Sequence, residues 1–122
     1  MGSVTNPVAF PTFKAAAAIP AFRRVTITGN REVTLSANDE LGHGISITPA
    51  LATGDKVTVQ LFTAGTAECG TDTLGTPLAG SPAYGGSAGL LTASAGSPVR
   101  AKVGTWTEGG APGDSLEFIP LT

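Results

Sequence analysis

The chain has 122 residues but only one cysteine and one histidine. A disulfide framework needs a second thiol and a Cys/His metal cluster needs several ligands, so both are excluded. Charged residues make up 13 %, about half the usual share, which excludes a coiled coil or a helix bundle rich in Leu, Glu and Lys. The formal charge is −2. Only Arg23 and Arg24 stand side by side as cations, so the basic stripe of a nucleic-acid binder is missing and no nucleic-acid partner is expected. No run approaches the roughly 18 apolar residues of a membrane-spanning helix, and no membrane partner is expected. Ala15 to Phe22 (AAAAIPAF) superficially resembles a signal-peptide core. It lies far from the start, lacks a basic leader and is bracketed by Pro11 and Pro20.

What is abundant is small or chain-breaking. Glycine numbers 17 and proline 9, while Val, Ile, Leu and Phe together number 28. A core this modest, with no cross-link, suggests that the chain gains stability by association. From Arg23 onward apolar residues recur with period two, the spacing of a half-buried strand. Arg24 to Thr28 (RVTIT) sets Val25 and Ile27 against threonines, and Val33 to Leu35 follows a Gly29-Asn30-Arg31 turn, where Gly and Asn can take positive φ. Ile45 and Ile47 alternate with Ser46 and Thr48. Lys56 to Phe62 (KVTVQLF) is the clearest strand, and Val99 to Trp106 and Leu116 to Ile119 repeat the pattern. Short Val/Ile/Thr strands punctuated by Gly and Pro predict an all-β body, a small β-barrel or β-sandwich.

Two stretches depart from that pattern. Residues 1–22 carry three prolines (Pro7, Pro11, Pro20) and three phenylalanines (Phe10, Phe13, Phe22), and read as an extended N-terminal arm ahead of a body over 23–122. Exposed phenylalanines are costly in water, so Pro7, Phe10, Phe13 and Phe22 are the candidate anchors on a partner surface; the bland alternative is a frayed terminus. Residues 63–98 are crowded with Gly, Ala, Ser, Thr and Pro. This insert reads either as a surface lobe making partner contacts or as a floppy loop.

One internal similarity stands out. Ala52-Thr53-Gly54-Asp55 and Ala111-Pro112-Gly113-Asp114 each precede an alternating apolar strand. Pro112 and Gly113 suit the central positions of a type II turn, where Gly supplies the positive φ, and the aspartate can accept local amides. The repetition suggests an old duplication and does not by itself mark a site.

The search for chemistry returns little. His43, between Gly42 and Gly44, is the only candidate base for neutral-pH proton transfer and reads as a structural turn residue. Cys69 sits beside Glu68, which raises a thiol pKa instead of activating it. Asp39 and Glu40 read as a solvated turn. The glycine-rich stretches match no phosphate-binding fingerprint. No catalytic constellation, metal or cofactor is implied, and an enzyme is not expected.

In order along the chain stand Gly29 to Val33 (GNREV), Gly44 to Ile47, Ala52 to Phe62, Leu91 to Val99 (LTASAGSPV) and Ala111 to Leu121. This succession resembles the small capsid decoration (cement) proteins of tailed bacteriophages. The resemblance spans roughly residues 23–122 and departs from the family pattern in a longer insert around residues 66–89. It implies an all-β body, a homotrimer, the major capsid protein as partner, and a place on the outer surface of the virion. The alternative from a different class is a non-catalytic β-sandwich binding module, for instance for carbohydrate. A lone Trp106 and a lone Tyr84 give thin support for stacking on sugars.

Overall fold

The computed structural model of the chain describes residues 10–62, 65–96 and 100–121. Ten strands run in order: β1 (Thr12–Ala15), β2 (Arg24–Gly29), β3 (Glu32–Leu35), β4 (Gly44–Ser46), β5 (Lys56–Leu61), β6 (Ala67–Gly70), β7 (Pro82–Gly85), β8 (Leu91–Thr92), β9 (Lys102–Trp106) and β10 (Ser115–Pro120). A 3₁₀ turn, Ser87–Gly89, precedes β8. The fold is all-β, as its alternation predicts.

The first five strands close a barrel in the order β1-β3-β2-β4-β5. β1 pairs parallel with β3 on one side and antiparallel with β5 on the other. Phe13, Ala15, Val25, Val33, Val57 and Val59 point inward, with Ile19 and Ala50 completing the core. Period-two side chains allow no register slip here, because a shift by one residue would turn every valine outward.

The remaining strands form a curled sheet, β6-β10-β9-β7-β8, whose two ends meet through a parallel bridge between Thr71 and Leu91. It repeats the barrel strand for strand. Gly44, Ile45 and Ser46 of β4 face Leu61, Gln60 and Val59; Gly104, Thr105 and Trp106 of β9 face Pro120, Ile119 and Phe118. Thr26 and Ile27 face Thr34 and Val33, just as Tyr84 and Gly85 face Thr92 and Leu91. The parallel pair Ala15 and Val33 recurs as Thr71 and Leu91. The duplication suggested by the two Ala-x-Gly-Asp turns therefore extends through the whole fold.

Both turns are built alike. Gly54 and Gly113 sit at φ +89° and +93°. The Asp55 carboxylate accepts from the Leu51 and Ala52 amides at 3.2 and 3.1 Å, and that of Asp114 accepts from the Ala111 amide at 3.1 Å. The Gly29–Arg31 turn differs from expectation: its left-handed residue is Arg31, at φ 52°.

The proposed division of the chain needs two corrections. Residues 12–15 are not arm but a barrel strand, held between β3 and β5, and Ile19 bridges to Ala50. Residues 67–92 are not a loose insert but contribute β6, β7 and β8. The inward side chains of β6 and β7 are short (Ala67, Cys69, Ala83), and the core they enclose is filled by Leu91 of β8 and by Trp106, Phe118, Val103 and Leu116 from β9 and β10. Phe118 meets Trp106 and Phe62 edge-on at centroid distances of 6.5 and 6.1 Å. Of the last region, β9 begins at Lys102, and Val99 lies outside the described residues.

Candidate functional site

Alternation places Arg24 and Thr26 on the outer face of β2, opposite Val25. At its Arg24 end that face does not meet solvent. The second unit covers it, and Arg24 is entirely buried. Its Nη1 donates to the Glu40 carbonyl at 2.6 Å, and its Nη2 donates to Gly86 at 2.9 Å, Leu90 at 3.1 Å and Ala37 at 3.3 Å. Nε donates to Leu90 as well, at 3.3 Å. One side chain thus ties β2 to the 37–40 loop and to the turn before β8. Burial holds the Arg24 pKa below its usual value, against the smaller upward pull of the nearby Cys69 and Glu40 groups. The neighbouring Arg23 adds a bond from Nη1 to the Ala88 carbonyl at 2.9 Å, bracing a residue at φ 54°. Ile45, projecting from β4, joins the second core, so the two units share an apolar seam around the Arg24 guanidinium.

The proposed anchors are not brought together. Pro7 lies outside the described residues. Phe10 is 48 % exposed and is the one described phenylalanine free to meet a partner. Phe13 is a core residue of the barrel, with the Arg31 guanidinium 5.4 Å above its ring; the period-two burial of β1 turns it inward, which corrects its assignment as an anchor. Phe22 is half-buried at φ 60°. Its amide donates to the Ser46 carbonyl and its carbonyl accepts from Gly70, so it works as a joint between the two units.

His43 is exposed, and its Nδ1 accepts the Ile27 amide at 2.9 Å. Cys69 is buried, and burial pushes its thiol up to about 12. Among the described residues, no three His, Cys, Asp or Glu side chains gather as a metal site would require. A groove of about 270 Å³ opens at the barrel surface, lined by Thr12, Phe13, Lys14, Arg31 and Lys56. Three of the chain's seven basic residues thus meet at one groove, although they are scattered in sequence. Only β-pairing reveals this, since Lys14 and Lys56 are register partners across β1 and β5.

No family model and no curated protein matches this chain. Among solved structures it is similar in fold to the N base of the head fiber protein gp8.5 of bacteriophage phi29. That likeness has a TM-score of 0.74 at 14 % identity and covers 93 % of this chain and 94 % of the other.

Proposed function

We propose that this chain is a structural protein of a phage virion that binds the outer surface of the capsid as a homotrimer and stabilises the shell. The observation that carries this reading is the fold shared with a phage head fiber base over nearly the full length of both chains. The ordered motifs that resemble capsid cement proteins point the same way. The physical character of the chain also suits it: the fold is doubled by repetition, the lone histidine accepts a backbone amide and the lone cysteine is buried, and the exposed apolar residues are spread over turns and strand faces. Contacts of modest strength repeated over several copies add up, because each further contact is intramolecular once the first has formed.

The partner is the major capsid protein, and Pro7 with Phe10 forms the anchor, ahead of the point where β1 enters the barrel. The test is cosedimentation of the purified protein with capsids that lack it, comparing the full chain with a version deleted for residues 1–10. Binding by the full chain with loss on deletion supports both parts; equal binding by both retains the capsid reading and removes the anchor.

A further inference from the structure

The internal repeat makes the outer faces of β1/β5 and β6/β10 structural counterparts, and they carry opposite charge. On the barrel, Lys14 of β1 is the direct antiparallel partner of Lys56 of β5. On the curled sheet, Glu68 of β6 is the direct partner of Glu117 of β10. All four are exposed. Direct partners share one face of a sheet, so each pair sets like charges side by side, an arrangement that destabilises an isolated sheet.

Both faces are also held in place. Arg31 donates from Nη2 to the Thr12 carbonyl at 2.9 Å and lies over Phe13, so the cationic groove has a fixed wall. Two carboxylates lie beside it: Glu32, the register partner of Lys14 on β3, and Asp55, which is turned to the Leu51 and Ala52 amides. On the other face, Thr107 and Thr66 hydroxyls bond the two Glu117 carboxylate oxygens at 2.8 and 3.2 Å. Glu108 accepts the Glu117 amide at 2.9 Å, bringing a third carboxylate alongside. Ile119, 49 % exposed, continues the same face of β10 and supplies an apolar contact next to the acids.

We propose that the β1/β5 face of one copy seats on the β6/β10 face of a second copy of this chain, with Lys14, Lys56 and Arg31 opposite Glu68, Glu117 and Glu108. The charge pattern selects this pairing. A contact of either face with itself would oppose like charges, which disfavours a two-fold dimer. A contact between unlike faces that the same partner does not reciprocate is heterologous, repeats from copy to copy, and closes into a ring when the rotation allows. It deepens the homotrimer part of the reading above, since a three-fold ring requires a heterologous contact.

The test measures solution mass by light scattering across a concentration series. It compares the full chain, the double variant Lys14→Glu/Lys56→Glu, the double variant Glu68→Lys/Glu117→Lys, and all four changes together. All four positions are exposed, and circular dichroism verifies that each variant is folded. The full chain is expected to associate at low salt and to weaken at about 1 M NaCl, where the Debye length is ~3 Å. Each double reversal should weaken association at least about tenfold, the scale of a like-charge clash at an interface, and the fourfold swap should restore it. A full chain that stays monomeric at low salt overturns the proposal, as does a double reversal without effect or a folded fourfold swap as weak as the doubles. Capsid cosedimentation on the same samples separates the two readings. A monomer that still binds capsids refutes this contact alone; charge-dependent association without capsid binding supports the contact and refutes the capsid role.

Discussion

Replacing Arg24 by Ala should cost far more than a charge on an exposed strand face would. The guanidinium is fully buried and donates to four carbonyls. The Ala37 and Leu90 carbonyls also accept the Glu40 and Gly86 amides. Those of Glu40 and Gly86 are left, among the described residues, without that recourse. Hydrogen bonds from a charged donor contribute about 1.5–3 kcal/mol each, and a buried acceptor stripped of its donor costs about 1–3 kcal/mol. Adding the cavity, a loss of about 3–5 kcal/mol is expected, a large fraction of the roughly 5–15 kcal/mol that stabilises a domain. Arg24→Lys should recover only part of it, because an ammonium cannot span carbonyls on two loops as a planar fork does. Urea unfolding followed by circular dichroism gives the midpoint and the slope. A midpoint shift worth less than about 1 kcal/mol at unchanged slope would refute the claim that Arg24 joins the two units.

Gly104→Ala should destabilise by about 1–3 kcal/mol through overpacking, because a Cβ there would run into the Ile119 carbonyl. Its counterpart Gly44→Ala should do likewise, its Cβ falling 2.6 Å from the Gln60 carbonyl oxygen; thermal melts showing either variant as stable as the parent would contradict the repeated packing. Phe13→Ala should cost about 3–5 kcal/mol as a core truncation, whereas Phe10→Ala should leave the melting temperature nearly unchanged and reduce capsid binding. Cys69 should resist a thiol reagent in the native state and react on unfolding. Because its folded pKa is raised from 9.0 to about 12, its contribution is complete below pH 9 and lost as pH climbs towards 12. A Cys69→Ala variant should therefore lose less stability over that range than the parent, and equal alkaline slopes would remove the assignment.

The strands of the barrel were legible because Val25, Val33, Val57 and Val59 alternate with polar residues against a single core. In the second unit β9 and β10 were legible on the same ground, but β6, β7 and β8 were not, although the architecture is the same. The inward positions on β6 and β7 are Ala67, Cys69 and Ala83, too small to register as a strand pattern, and the bulk that covers them comes from Trp106 and Phe118 far along the chain. Phe13 was misread for the opposite reason. Proline before it and a run of alanines after it hide a strand only four residues long, and only pairing with β3 and β5 makes it regular. The duplication surfaced in the sequence solely at its Gly-Asp turns, where backbone geometry restricts residue choice; elsewhere the two halves fill equivalent positions with different side chains. No sequence signal marks Arg24 as buried, since an arginine on the polar face of a strand normally meets water. The groove of Lys14, Arg31 and Lys56 is likewise a product of pairing across distant strands.

The most direct measurement is sedimentation of the purified chain with phage capsids assembled without it, followed by the thermal stability of the loaded shell. A capsid-seated stabilising protein should pellet with the shells at a saturating, fixed stoichiometry and raise the temperature at which they open. A chain that stays in the supernatant, or that pellets without changing that temperature, would contradict the proposed role.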